Sequence, residues 1–473
     1  MTEIHEMTAA ELVAHYRRKA LSPVMVMKHT LERLAALDPQ VNAFREIDAQ
    51  GALADAERSE ARWLRGDPCG ALDGVPVSVK DMVPTRRMAT RFGSKATSPD
   101  LLRDVESPAV TALRERGAVI FGKTTTSEFG NKIVTESPLT GVTRNPWDLA
   151  RSSGGSSGGS GVAVALGIGP LSVGTDGGGS IRIPSSWNGI FGLKPSYKCV
   201  PTSGGEGYTR LSNVGPMSRC VEDAALMLSV MMAHRREDWD AVPTGAVDGM
   251  TDLDGGVRGM RIAFSEDLGL VTVDPGIASE VRRAVSLFND LGAHVEEVPV
   301  PPLKDYLDSK IHAIQWMVNL AQTIRKLPAG ERQHVDPDVL ALAELGEAVS
   351  AAELADALAR RHQLAQDMHA FLSYHDLLVT PTFHLSPPKV PGLPLALQQS
   401  PPLTSWANQT MQPAASIPCG LTPEGMPIGL QIIGRRYADA MVLRACRAFE
   451  RARGPFPMPR ADWNLGNERT GHP

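Results

Sequence analysis

The hydrophobic pattern of the chain alternates between segments of strand character and segments of helix character. Residues 75–79 form a short apolar run that ends at Lys80, which predicts a buried strand. Apolar residues recur at steps of three and four from Ile277 to Leu291, which predicts an amphipathic helix. Gly292 ends that helix, and the next segment, 294–300, is typical of a strand.

Other segments extend the same alternation. We predict strands at 118–121, 259–264, 377–380 and 428–433, and helices that begin at Thr8, at Ser107 and after Asp439. An Ala/Leu-rich section, 339–372, is predicted to be helical. Strands that alternate with helices predict an α/β fold, in which helices cover a central sheet.

Composition narrows the class of protein. The 473 residues are 42% hydrophobic, and the formal net charge is −5 without a long run of either sign. This argues against a nucleic-acid partner and against a basic membrane surface. The longest apolar run, 162–173, is too short to span a bilayer, and the first residues lack the pattern of a secretory signal. Five scattered cysteines predict neither a disulfide framework nor a zinc site. We therefore expect a cytoplasmic protein.

Residues 151–160 read RSSGGSSGGS, which is also the composition of a flexible linker. A linker should be flanked by polar sequence, whereas this run continues at once into the apolar segment 161–168. Glycine permits close backbone packing and positive φ angles, which a tight internal loop needs. We interpret the run as a buried loop.

A second glycine-rich run, 174–184, reads GTDGGGSIRIP. Gly177, Gly178 and Gly179 precede Ser180, so their N–H groups are unshielded by side chains and are suited to an oxyanion hole. Binding of phosphate is the other common use of glycine-rich loops. Neither run has the GK[ST] ending of a P-loop or a G-x-G-x-x-G after a clear strand, so the sequence disfavours nucleotide binding.

A serine nucleophile needs a base. None of the 12 histidines lies in the two glycine-rich runs, and Lys80 ends an apolar strand, where burial would favour its neutral form. Lysines are rarely buried, however, and composition alone favours a surface Lys80 paired with an acid such as Asp81. The residues by themselves leave the base open.

Several segments, in this order along the chain, resemble the signature blocks of the amidase signature family. They are GVPVSVKD at 74–81, GGSSGGS at 154–160, GTDGGGSIRIP at 174–184, GLKP at 192–195, GPMSRCVED at 215–223 and PIGLQIIG at 427–434. The strong match covers 74–223, and a weaker one covers 376–449. The ordered set is far more specific than any one motif.

The resemblance implies the fold of that family, a central mixed β-sheet with helices on both faces. It also implies a Ser–cis-Ser–Lys triad, in which Lys80 accepts a proton from Ser156 and Ser156 accepts one from the nucleophile, Ser180. The amides of Gly177, Gly178, Gly179 and Ser180 map to the oxyanion hole. The implied activity is hydrolysis of carboxylic amides through an acyl-enzyme, and it extends to aryl-amide, ester or carbamate bonds.

The implied reaction requires no metal and no organic cofactor. Its partner is a small-molecule amide or a related acyl compound, and a homodimer is compatible with the sequence. We expect one amidase domain, 1–455, with its signature core at 74–223, a variable decoration of helices and loops at 235–400 and a poorly ordered tail, 456–473. Residues 82–92 and 125–129 and parts of 235–400 are expected to shape the substrate pocket.

Two alternatives remain. Residues 154–158 also fit G-x-S-x-G, the nucleophile elbow of α/β-hydrolases, which would make Ser156 the nucleophile with a downstream Asp and His. An elbow must follow a strand, whereas 143–150 has the character of a loop. The second alternative is that the chain is a subunit of a larger assembly, as in glutamine-dependent tRNA amidotransferases, where the amidase subunit supplies ammonia to a partner.

Overall fold

A computed structural model of the protein describes residues 3–202, 210–233, 238–242, 250, 252–391 and 402–463. Within these residues, eleven strands form one large sheet, and two short strands form a separate hairpin. The strands are, in chain order, β1 Phe44–Ile47, β2 Pro76–Lys80, β3 Val119–Thr124, β4 Glu136–Ser137, β5 Gly141–Val142, β6 Leu171–Asp176, β7 Phe191–Lys194, β8 Asn213–Ser218, β9 Arg261–Phe264, β10 His294–Glu297, β11 Leu377–Pro381, β12 Ala414–Leu421 and β13 Pro427–Gly434.

The large sheet is mixed, as the family resemblance implies. Its strand order is β1-β3-β2-β6-β8-β7-β12-β13-β11-β9-β10. Strand β2 is parallel to both of its neighbours, β3 and β6. The centre of the sheet, from β6 through β8, β7 and β12 to β13, is antiparallel. Because β2 and β6 are parallel neighbours, their carboxyl ends lie side by side at the same end of the strands.

Helices pack on both faces of this sheet. They are α1 Ala9–Arg17, α2 Pro23–Val41, α3 Ala49–Arg65, α4 Pro108–Glu115, α5 Gly158–Ala165, α6 Arg182–Asn188, α7 Val221–Met231, α8 Pro275–Asp290, α9 Ile311–Arg325, α10 Pro337–Ala348, α11 Ala351–Ser373, α12 Ser405–Gln409 and α13 Asp439–Arg453.

Alternate strand residues show how both faces are buried. In β11, Val379 packs in the core that contains Phe288 of α8 and Phe449 of α13. Its neighbour Leu378 points the other way and packs with Met368 of α11. Successive side chains of a strand point to opposite faces, so a strand that is apolar throughout needs a cover on each side.

The predicted elements were confirmed where a local signal specifies them. Thr8 caps α1 in a capping box with Glu11, and Ser107 precedes α4. The section 339–372 is two helices, α10 and α11, because the second begins at a new capping box between Ser350 and Glu353.

The region 235–400 holds more than helices and loops. Strands β9, β10 and β11 fall in it, and they build one end of the large sheet. This part of the chain thus supplies sheet as well as covering helices. The assignment of one domain to 1–455 stays a prediction.

The predicted tail is described only in part. Phe456 lies against Trp147, with ring centroids 6.0 Å apart, and Trp463 donates a hydrogen bond to the Pro146 carbonyl at 3.1 Å. Residues 464–473 of the prediction lie outside the described residues. In the part of the chain that the structure describes, no helix has the length and apolar character to cross a membrane.

Candidate active site

Two parallel strands and one tight loop position the candidate catalytic groups. Lys80 is the last residue of β2, and Thr175 lies near the end of β6, beside it. Ser156 lies in the loop that leads into α5. The peptide bond between Gly155 and Ser156 is cis, as the family resemblance implies.

Residues 152–157 are buried in the interior, so this loop is not a linker. A side chain at Gly155 would be excluded, because a Cβ placed there would lie 2.6 Å from the backbone carbonyl carbon of Val134. Thr135 fixes the other side of the loop through a 2.8 Å hydrogen bond to the Gly154 carbonyl. Residues 143–150 contain no strand, and this disfavours a nucleophile elbow at Ser156.

Lys80 is completely buried and bonds to hydroxyls instead of to a carboxylate. Its Nζ lies 2.7 Å from Ser156 Oγ and 2.8 Å from Thr175 Oγ1. The neighbouring acid, Asp81, pairs with Arg45 at 2.9 Å. Burial lowers the pKa of Lys80 well below its usual value, although the charge of Asp176 opposes this shift. A surface Lys80 paired with Asp81 is therefore ruled out.

Ser180 lies at the wall of a small cavity of about 20 Å³. It directly precedes the turn into α6, and its carbonyl accepts a 3.1 Å hydrogen bond from the Ser157 amide. The lining residues are Gly130, Asn131, Lys132, Ile133, Gly178, Gly179, Ser180, Ile183, His312 and Trp316. The side chain of Ser180 is partly exposed to this space, as a nucleophile must be.

Lys80 is hydrogen-bonded to Ser156, but the hydroxyls of Ser156 and Ser180, both described by the structure, are not hydrogen-bonded to each other. Ser156 Oγ lies next to Gly130, since a Cβ placed on Gly130 would be 3.2 Å from this oxygen. Gly130 lines the same cavity as Ser180. Catalytic hydrogen bonds are often long without substrate and shorten when it binds.

Asp176 and Arg182 hold the loop of the nucleophile in place. Both side chains are completely buried, and Arg182 donates two hydrogen bonds, of 2.9 and 2.8 Å, to the Asp176 carboxylate. Burial alone would raise the pKa of Asp176, but the charge and hydrogen bonds of Arg182 outweigh it and hold this pKa far below its usual range. These contacts give the pair a structural role in the loop that carries Ser180.

One of the four expected oxyanion donors is already in use. The Gly179 amide donates a 2.8 Å hydrogen bond to Asp176 Oδ1. The φ angle of Gly179 is +138°, which an L-residue rarely adopts. The amides of Gly177, Gly178 and Ser180 make no hydrogen bond to other described residues, and they remain available for a substrate oxygen.

Sequence reasoning missed several residues of this site. Thr175 bonds Lys80, and its position in the motif immediately before Asp176 was the available signal. His312 and Trp316 come from α9, four residues apart on one helix face, and no local motif marks them. They fall within 235–400, as expected of pocket residues, whereas 82–92 and 125–129 are absent from the described lining.

Comparison with known proteins finds amidases among the relatives of this chain. The family model described as Amidase matches residues 25–443. An acylamidase from Rhodococcus erythropolis is 33% identical over 471 residues, covering 96% of this chain and 97% of that protein. One subunit of a glutamyl-tRNA(Gln) amidotransferase from Chloroflexus aurantiacus is also 33% identical, covering 95% of this chain and 97% of that protein.

Solved structures of amide-hydrolysing enzymes share the fold of this chain. A bacterial aryl acylamidase of the amidase signature family superposes with a TM-score of 0.87 at 30% identity, covering 96% of this chain and 98% of the other. A 6-aminohexanoate cyclic dimer hydrolase bound to substrate gives a TM-score of 0.87 at 26% identity, covering 97% of this chain and all of the other.

Proposed function

Because this chain belongs to the amidase signature family of hydrolases, we propose that it is an amidohydrolase that cleaves small-molecule carboxylic amides through an acyl-enzyme. The proposed triad is Lys80, Ser156 and Ser180. The observation that carries the proposal is the 2.7 Å hydrogen bond between Lys80 Nζ and Ser156 Oγ in a fully buried setting. A neutral amine at this place is a base, since burial disfavours its charged form.

In the first half of the reaction, the Ser180 hydroxyl attacks the carbonyl carbon of the amide. Its proton passes to Ser156 Oγ as the proton of Ser156 passes to Lys80 Nζ, so the ammonium forms as the nucleophile becomes an alkoxide. The negative charge that develops on the carbonyl oxygen is bound by the amides of Gly177, Gly178 and Ser180. The removal of one such donor typically costs about 3 kcal/mol of barrier.

The second half reverses the proton movements. Lys80 returns its proton through Ser156 to the amine nitrogen as the C–N bond breaks, and the acyl group stays on Ser180. Water then attacks this ester and gives a proton to the same relay. The relay passes this proton on to Ser180 Oγ as the bond between that oxygen and the acyl carbon breaks, and the carboxylic acid leaves. The same steps would serve an aryl amide, an ester or a carbamate, because each presents a carbonyl carbon to the nucleophile.

Labelling with a fluorophosphonate followed by peptide mass mapping tests which serine is the nucleophile. We expect the adduct on Ser180, and the variant Ser180→Ala should take up none. The purified chain should also release aniline from a simple anilide. An adduct on Ser156 with none on Ser180 would instead support the α/β-hydrolase alternative.

A second candidate, a component of an amidotransferase, is favoured by the 33% identity to the glutamyl-tRNA(Gln) amidotransferase subunit over almost the whole chain. Such a component would release ammonia from glutamine only beside its partners. We therefore compare glutamine with simple anilides as substrates of the purified chain. Turnover of anilides by the chain alone supports the hydrolase, and inactivity toward both substrates favours the assembly.

A further inference from the structure

His312 lies on the cavity wall opposite the glycine loop, outside the triad. It is the second residue of α9, and only 4% of its surface is exposed. Its ring stacks on Trp316, with centroids 5.5 Å apart, and the Trp316 indole donates a 2.6 Å hydrogen bond to Asn131 on the cavity wall. The ring is therefore held in one orientation.

The ring of His312 faces the loop that precedes the nucleophile. A Cβ placed on Gly178 would lie 3.0 Å from both Cε1 and Nε2 of His312. The Nε2 atom has no hydrogen-bond partner among the described residues, whereas Nδ1 has one. An atom of a substrate bound over this loop would thus be within reach of Nε2.

A chain of hydrogen bonds that starts at Arg361 fixes which ring nitrogen of His312 carries the proton. A guanidinium can only donate, so the oxygen of the Gln315 amide must face Arg361 Nη1, at 3.3 Å. The nitrogen of the same amide then donates to the Ile311 carbonyl at 3.1 Å and to Gln409 Oε1 at 2.9 Å. Arg361, which can only donate, and the Ile311 carbonyl, which can only accept, thus require the same orientation of this amide.

The orientation of the Gln409 amide in turn determines whether His312 Nδ1 donates or accepts. Its oxygen accepts from Gln315, so its nitrogen must face His312 Nδ1, at 3.2 Å. Because that nitrogen is a donor, Nδ1 is a lone-pair acceptor, and the proton of the neutral ring sits on Nε2. Burial supports a neutral ring, since it lowers the pKa of His312 to about 4.

We propose that His312 contacts the substrate and selects it, by presenting a fixed Nε2–H donor to amides that carry a lone-pair oxygen or nitrogen beside the scissile carbonyl. The inference deepens the proposed amidase function and rests on it. An amide with such an acceptor gains one hydrogen bond in a buried site. An analogue with a methylene in its place leaves the N–H unsatisfied, which costs binding.

The test compares matched pairs of ligands that differ by one atom. On the acyl side the pair is 2-methoxyacetanilide and butyranilide. On the amine side the pair is the ortho-methoxy and ortho-ethyl derivatives of acetanilide. Calorimetric titrations use the full chain carrying Ser180→Ala, so that binding is measured without turnover. This readout also separates a failure of the inference from a failure of the proposed hydrolysis.

We expect the methoxy member of at least one pair to bind about tenfold more tightly, the size of one net hydrogen bond. Addition of His312→Phe, which keeps a ring but lacks the donor, should bring that ratio close to one. His362→Phe, at an exposed position on α11, is the control and should leave the ratio unchanged. A missing preference in both pairs, or a preference that survives His312→Phe, overturns the proposal.

A second measurement needs no ligand. In protein labelled with ¹⁵N-histidine, the signals lost in His312→Gln identify the ring, and their shifts report its tautomer. The proposal requires the proton on Nε2. A proton on Nδ1, or a doubly protonated ring at neutral pH, overturns it whatever the ligand titrations show.

Discussion

Asp176 and Lys80 are both completely buried at the ends of the neighbouring strands β6 and β2, yet the charged partner of Asp176 is Arg182. Lys80 therefore lies close to a carboxylate whose charge is already compensated. Desolvation is the larger influence on the pKa of Lys80 and lowers it, and the charge of Asp176 opposes this shift. We therefore expect the ability of Lys80 to accept a proton to depend on Arg182.

Removal of the amine should abolish catalysis and spare the fold. Lys80→Met keeps the length of the side chain and needs no hydrogen bonds, although it leaves Thr175 and Ser156 with one partner fewer. We expect kcat for anilide hydrolysis to fall by at least about 10⁴-fold, as for other triad members. Thermal melting should still be cooperative. Retention of turnover within tenfold of the original would contradict the role of Lys80.

The rate should depend on pH through Lys80. Its pKa is lowered by burial, and only the neutral form accepts a proton, so activity is present above the lowered pKa and falls as pH drops through it. The acidic limb of kcat/KM for the free enzyme should show this titration. A flat profile over the whole range in which the protein stays folded would refute the assignment.

Loss of the Arg182 charge should shift the acidic limb of the pH profile of kcat/KM. In Arg182→Gln the charge of Asp176 is no longer compensated, which raises the pKa of Lys80, so the acidic limb should shift to higher pH. The control is Arg182→Lys, which keeps the charge and should shift the limb less. An unshifted limb in a folded Arg182→Gln protein would mean that Asp176 does not influence Lys80.

The same substitution should also destabilise the protein. Removing one member of a buried ion pair typically costs about 3–5 kcal/mol, because the other charge stays buried without a partner. Arg360 and Asp356 form an exposed pair at 2.8 Å and supply the comparison. We expect Arg360→Gln to change the free energy of unfolding by less than about 0.5 kcal/mol. Equal effects in urea titrations would contradict the buried role of Arg182.

The close approach of the His312 ring should exclude any side chain at position 178. In Gly178→Ala the new methyl would lie 3.0 Å from the His312 ring, so the ring or the loop must shift. We expect kcat to fall by about 10²-fold, the loss typical of one misplaced oxyanion donor, with a smaller effect on melting. Gly330→Ala has open space around its Cβ and should be neutral in both assays.

The sequence alone determined the motifs and those elements whose signals are local. The apolar run before Lys80, the capping box at Thr8 and the period of three and four in α8 each act within a few residues. The family resemblance added the mixed sheet and the three candidate catalytic residues, because ordered motifs specify what composition leaves open.

Only the tertiary structure decided the states of the groups in the site. Composition favoured a surface Lys80, whereas packing between β2, β6 and the loop of Ser156 buries it among hydroxyls. The Gly179 amide bonds Asp176, and the tautomer of His312 depends on Arg361, 49 positions later in the chain. Burial and hydrogen-bond polarity arise from contacts between distant segments, so no window of sequence contains them.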